Sequence, residues 1–516
     1  MTLAAYSWIC LALYIGLMIV CGVVGQRRVK TADDYATARG GYGPIFLALA
    51  FSSTAASGAT FLGMPALAYH YGLSNLWFMF LYPIGLYGGV LLCQHAVAQA
   101  GNDFGARSIP EYLGEKYQSD AIRVVTSVYS LVLLFYLAGQ LVSGLVMFET
   151  MLGLSLPAAL AITTAVLAGY VVMGGAHADV FTDGVQGFLM ILLAIAVLIM
   201  FLVGFGVDGN LNDVLARMEA LDPNTVKTFN PVSPITATPW HAAAICISFI
   251  PLGLLPHVGN KLWALRDESQ RTRFVAASFV FGLILPCMAF GGILGRAVLG
   301  DDLLGGAAND VVPRLFIELM PVWLAALLGV GILAAIMSTA DGVVVTMGQI
   351  FANDLYRLTY VPRYQPTRSA EEIDATALRI SRFATFAVLL AAAAAAWLGQ
   401  GMNITLLSAI GFGGMSAAFA GPLILGILWN GVTRIGAFAG FLAGAVIFIG
   451  VISGSVSALG ERDTVLYAVT AWLEGESGNS FSIAALGGII GCLVTYGVSL
   501  VTPGYSRQHL ERFIPR

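Results

Sequence analysis

FSSTAASGATFLGMPALAY, residues 51 to 69, lies inside a segment long and apolar enough to cross a bilayer, yet it carries Ser52, Ser53, Thr54, Ser57, Gly58, Thr60, Gly63 and Pro65. Glycine and proline weaken a helix, and Pro65 removes a backbone donor, so the ladder is expected to fail near Phe61. In hydrocarbon each freed backbone group costs several kcal/mol unless protein, water or an ion satisfies it. A weak point lined with hydroxyls is therefore a packing seam or a site, since small residues also mark places where membrane helices approach closely.

The composition around this stretch is that of a membrane protein. Hydrophobic residues make up 58% of the 516 and charged ones 10%, and the mean hydropathy is +0.83, well outside soluble usage. Apolar runs of about 20 residues predict helices near 4–25, 44–70, 73–99, 122–150, 154–173, 180–206, 239–262, 274–298, 322–350, 378–399, 402–429, 434–453 and 480–502. The expectation is an all-α polytopic protein with about thirteen transmembrane helices and one transporter domain. The first apolar segment begins almost at once and lacks a basic flank, so it reads as a retained helix and not a cleaved signal peptide.

Thirteen spans put the termini on opposite faces. Of the 25 Lys and Arg, five (Arg217, Lys227, Arg296, Arg314 and Arg462) fall on one face and the other twenty, Lys261 among them, on the opposite one. That bias places the N-terminus outside and the C-terminus in the cytoplasm of a plasma membrane, the bacterial inner membrane. The cysteines lie mostly within apolar spans and show neither disulfide nor zinc spacing. The longest outer loop, 207 to 239, has room for a short surface helix, and 352 to 377 reads as a polar linker. Walker, dinucleotide, HExxH and GxSxG motifs are all missing, so neither ATP hydrolysis nor a familiar enzyme is indicated. Uphill transport would draw on an ion gradient.

Transporters built from inverted repeats show two interrupted helices at matching positions. Five helices after the first interrupted span, the seventh reads SFIPLGLLPHVGN from Ser248 to Asn260, with Pro251, Gly253, Pro256 and Gly259 inside it. The ninth carries LAAIMSTADG, Leu333 to Gly342. Ser338 and Thr339 stand three and four residues after Ala335, near the face of its carbonyl. One carbonyl and two hydroxyls are half of an oxygen cage, which the carbonyls of a broken second helix would close around Na⁺. The alternative is that both hydroxyls bond back to their own helix.

At this point the chain resembles the sodium:solute symporter family along nearly its whole length. The resemblance rests on DDYATARGGYGP (Asp33 to Pro44), GMPALAY (Gly63 to Tyr69), SIPEYLGEKY (Ser108 to Tyr117), Gly174 and Gly175 with TDGVQG (Thr182 to Gly187), LPH (Leu255 to His257), AAIMST (Ala334 to Thr339), GPLILGILW (Gly421 to Trp429) and GAFAG (Gly436 to Gly440). It implies the inverted five-helix-repeat fold of the leucine transporter: an extra helix over 4–25, repeats over 44–206 and 239–429, and two further helices over 434–502. The resemblance further implies a sodium site made of carbonyls of Ser53, Ala56 and Ala335 with the hydroxyls of Ser338 and Thr339. Its implied solute site comprises Ser57, Thr60, Tyr136, Gln140, Pro256, His257 and Trp263. Some family members have a second sodium site at the positions of Asp183 and the residues after the Ser-Thr pair, here Asp341 and Gly342. Asp183 and Asp341 are accordingly candidates for a second cation or a proton, an intramembrane carboxylate being costly and functional by default. Asp179, where relatives usually have an apolar residue, is expected only to favour the positive dipole of the following helix.

The expected function is sodium-coupled symport, with Na⁺ or additionally H⁺ as the coupling ion, of a small organic solute. LPH followed by a basic loop looks more like the monocarboxylate and pantothenate branch than the sugar branch; a proline-like amino acid ranks second and a sugar third. A sensor with this bundle is the alternative, and it would need a separate output partner because the chain ends at Arg516. The partners implied are the solute, sodium and membrane lipid, and no nucleic acid.

Overall fold

A chain this apolar satisfies its backbone by folding into helices. The structure, a computed structural model, describes residues 1–28, 37–207, 209–306, 308–457 and 464–513. Among them ten helices are long and apolar enough to span a membrane, and a pair bent by 52° makes an eleventh. In chain order the helices of the bundle, including shorter apolar pieces, are α1 (Leu3–Gln26), α2a (Pro44–Ala55) and α2b (Ala59–Gly63 running into Met64–Tyr71), α3 (Leu76–Phe104), α4 (Asp120–Leu152), α5 (156–174), α6 (Gly175–Leu202), α7a (Pro239–Leu254) and α7b (Pro256–Ala264). The remainder are α8 (Glu268–Leu299), α9 (Val322–Tyr364), α10 (Ala370–Gly399), α11 (Ile404–Leu428), α12 (Arg434–Ile452) and α13 (Ser480–Leu500). The thirteen predicted segments are all helical, but α2a and 156–168 are short apolar pieces.

Three departures from the sequence reading have a local reason. The second helix breaks at Ala56–Ser57 and not near Phe61, because a π turn over Ala59–Gly63 shifts the ladder so that Pro65 leaves no gap. Between α5 and α6 there is no loop. Gly175, at φ 56° and ψ −166°, turns the chain in one residue, a conformation open to glycine. The polar stretch after residue 350 is helical to Tyr364, because buried Asp354 docks it: its carboxylate accepts from Ser108 Oγ at 2.7 Å. In the outer loop the expected short helix is Leu211–Leu221. Asp33 to Ala36 of the first family motif, and Lys30, Arg462 and Arg516 of the charge tally, lie outside the described residues.

The packing sets α2a between α6 and α8, and packs α9 against α6, α4 and α1. Small residues allow these approaches. A Cβ at Gly187 of α6 would lie 2.6 Å from the Leu49 carbonyl oxygen of α2a, and one at Gly342 of α9 would lie 3.2 Å from Thr54. The break in α2 therefore faces α6 and α9 at the centre of the bundle.

Candidate functional site

At the break, Ala56 adopts an extended backbone (φ −93°, ψ 100°) and the helical ladder stops. The amides that would have bonded to the carbonyls of Thr54, Ala55 and Ala56 point elsewhere. Gly58 N–H donates to Gln140 Oε1 at 2.9 Å, Ala59 N–H to Ser57 Oγ at 3.1 Å, and Thr60 N–H to the Ser57 carbonyl at 2.8 Å. Their donors gone, these carbonyls are available to another partner. Thr405 Oγ1 and Asn403 Nδ2, at the start of α11, bond the carbonyls of Ala59 and Gly63 at 2.9 and 3.0 Å and hold the π turn.

The hydroxyls of α9 meet this gap. Ser338 Oγ donates to the Ser53 carbonyl at 3.0 Å and to the Ala335 carbonyl at 3.2 Å, and Thr339 Oγ1 donates to the Thr54 carbonyl at 3.0 Å. Ser53, Ala56, Ala335, Ser338 and Thr339 are all fully buried. Of the predicted cage the structure brings Ser53, Ala335, Ser338 and Thr339 into direct contact, and it adds the Thr54 carbonyl. The donor set is entirely oxygen, which suits a hard alkali cation.

Beside the break is a small cavity lined by Ala55, Ser57, Ala59, Thr60, Phe78, Tyr82, Tyr136, Phe249, Leu252, Thr405 and Phe412. Three predicted solute residues, Ser57, Thr60 and Tyr136, converge there. Tyr136 and Ser57 share this lining with Ala55, whose neighbour Thr54 accepts from the Thr339 hydroxyl, so the cavity wall adjoins the ion cage. Behind Tyr136, the ring of His257 meets it edge to face at 5.5 Å.

The carboxylates of α6 complete the picture. Asp179 and Asp183 are four residues apart and share a face. The ammonium of Lys261, from α7b, lies 2.7 Å from Asp179 Oδ2 and also pairs with Asp183 Oδ2. Thr54 Oγ1 donates to the same Asp183 oxygen at 2.6 Å. The expected role of Asp179, favouring a helix dipole, is thus corrected: it holds a buried ion pair. Asp341 is buried in α9, with Ser338 one turn before it.

A profile of the sodium:solute symporter family matches residues 35–444. The chain belongs to that family. A sodium/proline symporter of Salmonella typhimurium is 28% identical to this symporter over 84% of its chain and 86% of the relative. A sodium/pantothenate symporter of Haemophilus influenzae is 27% identical over 78% and 81%. A solved Na⁺-coupled sialic acid symporter, in a substrate-bound outward-open state, shares the fold with a TM-score of 0.74 at 18% identity, covering 97% of this chain and 99% of its own. This symporter is thus an integral protein of the plasma membrane and not an enzyme, and it couples sodium to the movement of a solute.

Two predicted solute residues of the symporter do other work. Gln140 caps the break through Gly58 N–H and donates from Nε2 to the Tyr136 carbonyl at 3.3 Å. Trp263 stands away from the cavity, with its indole N–H donating to the Val97 carbonyl at 2.7 Å. Around it the chain entering α2a is tied to the end of α7b: Gly40 N–H bonds the Trp263 carbonyl and Tyr42 N–H the Ala264 carbonyl, each at 3.0 Å, and Arg266 N–H bonds the Tyr42 carbonyl at 2.8 Å. Pro256 begins α7b just after the bend at Leu255, setting His257 against Tyr136. In Trp263→Phe, we expect a loss of about 1 kcal/mol in stability from one hydrogen bond, read by thermal unfolding, and a solute KM within about twofold of the parent.

Lys261, Phe78, Tyr82, Phe249, Thr405 and Phe412 escape a sequence reading as site residues. The 179/183 spacing on one face was the available signal for a buried cation. The aromatics carry none, because phenylalanine in a membrane helix faces lipid, neighbour or cavity with the same composition.

Proposed function

We propose that this symporter carries a small organic carboxylate in the cavity beside the break, together with Na⁺ at the cage formed by the carbonyls of Ser53, Thr54, Ala56 and Ala335 and the hydroxyls of Ser338 and Thr339. The observation that carries the reading is the break itself: Ala55 and Ser57 line the cavity, while the carbonyls of Ser53 and Thr54 just before them meet the hydroxyls of Ser338 and Thr339. Two ligands sharing one wall favour the same closed arrangement, and coupling requires such a common preference. The aromatic cavity suits the apolar body of a compact acid. Its lining holds no charged side chain, so the acid's charge is balanced by the neighbouring Na⁺ and the N-terminus of α2b. Proline and pantothenate, the solutes in the relatives' names, are both carboxylic acids. A proline-like amino acid is the second reading, although no acidic residue lines the cavity to meet its ammonium; a sugar would need more hydrogen-bonding partners than the lining provides.

In this reading the N-terminus is outside, the C-terminus is cytoplasmic, and residues 44–206 and 239–429 are inverted repeats whose broken helices meet at mid-membrane. The bridge between Tyr42 and the end of α7b then closes the cytoplasmic path. A proton at Asp341 is the second reading for the ion, favoured by its burial one turn after Ser338.

A screen of small acids by Na⁺-dependent thermal shift is expected to find one that raises Tm only in Na⁺. In proteoliposomes that acid should accumulate under an inward Na⁺ gradient and stop when the gradient is removed. Accumulation driven equally by a pH gradient without Na⁺ would overturn the sodium cage and favour Asp341.

A further inference from the structure

The pair of carboxylates on α6 is built as a cation site, and a side chain of this protein already reaches it. Asp183 is fully buried, and the side chains of Lys261 and Asp179 are 4% and 9% exposed. The three come from two elements: α6 presents Asp179 and Asp183 from one face, and α7b, just past its bend, delivers Lys261. The ammonium contacts Oδ2 of both carboxylates, and Thr54 Oγ1 adds a hydrogen bond to the second. An alkali ion bound between two carboxylates and a threonine hydroxyl would need the space the ammonium fills.

We propose that Lys261 is a built-in cation which takes the place of a second alkali ion between Asp179 and Asp183, so that this symporter binds one fewer Na⁺ than the same pair would hold without the lysine. Two buried carboxylates without a cation would be strongly unfavourable, and a tethered ammonium supplies the charge without any ion leaving the solvent. The triad also touches the cage it sits beside. Ser53 Oγ donates to the Asp183 carbonyl at 2.9 Å, and the carbonyls of Ser53 and Thr54 are those that meet Ser338 and Thr339. With both carboxylates ionised the triad keeps one net negative charge next to the cage, which favours a cation there. Lys261 therefore acts as a positioning residue for α2a and as a determinant of ion stoichiometry.

The proposal deepens the sodium reading above, and its test separates the two. Bound ²²Na⁺ per chain is counted on the purified full-length symporter and on Lys261→Met, Lys261→Arg and the neutral triple variant Lys261→Met/Asp179→Asn/Asp183→Asn. Lys261→Met should bind one more Na⁺ than the wild type and gain Tm on Na⁺ addition. Lys261→Arg and the neutral triple variant should hold the wild-type number. A folded Lys261→Met that binds no additional Na⁺ overturns the proposal, and so does a neutral triple variant that loses one ion relative to wild type. Should the variants fail to fold, the wild type and Asp341→Asn decide: a second Na⁺ per chain that persists in Asp341→Asn overturns the proposal, while one Na⁺ per chain, or a second that is lost in Asp341→Asn, supports it. A wild type that binds none would sink the cage reading, while the increment in Lys261→Met would still report on the triad.

Discussion

Ser338→Ala and Thr339→Ala are each expected to weaken Na⁺ binding by about tenfold or more, a loss of about 1.4 kcal/mol, read as a shift in the Na⁺ concentration that half-saturates uptake. Each variant removes one oxygen from a small set, and each also deletes a hydroxyl that bonds a carbonyl of α2a, of Ser53 or of Thr54, at 3.0 Å. Folding should persist, because alanine is the better helix former and both positions lie within the long helix α9. The solute's apparent affinity at saturating Na⁺ should change less for Ser338→Ala than for Thr339→Ala, since Thr339 bonds the Thr54 carbonyl, next to Ala55 in the cavity lining, whereas Ser338 bonds the Ser53 carbonyl one residue further away. Unchanged Na⁺ dependence in both variants would remove the cage.

Gln140→Ala should weaken Na⁺ and solute together, each by roughly tenfold to a hundredfold. Gln140 is fully buried, and its Oε1 is the partner of Gly58 N–H at the head of α2b. A buried amide left without that acceptor costs about 1–3 kcal/mol, and the structure can recover it by letting Gly58 N–H bond the Thr54 carbonyl again. That repair re-forms the helix across Ala56 and withdraws an oxygen from the ion. Equilibrium binding of both ligands checks the prediction. If the solute alone weakened, Gln140 would be a direct solute ligand, as the family resemblance implies, and its role as the cap of the break would be lost.

The two variants fall on either side of what a sequence reveals. Ser338 and Thr339 were legible because hydroxyls three and four residues after Ala335 must share a side of an α-helix whatever surrounds it. Pro251, Gly253 and Pro256 were legible in the same way, and α7 does bend at Leu255. The position of the break in α2 was not. Pro65 is the residue that local rules point to, and a π turn absorbs it, while the ladder fails eight residues earlier where the amides find Gln140 and Ser57.

Trp263 and Lys261 show the other limit. Both lie near the end of the seventh helix, where a tryptophan reads as a solute contact and a lysine as one more inner-face charge. Packing sends the indole to the Val97 carbonyl and the ammonium to two aspartates on α6. Composition and the length of the apolar runs decided that this chain is a helical membrane bundle with two weak spans, because hydrocarbon leaves a lone run of about 20 apolar residues only the helix in which to satisfy its own backbone. Which carbonyls lose their donors, which hydroxyls turn toward them and where a buried charge finds its partner were decided by tertiary structure, since each depends on contacts between helices far apart in the chain.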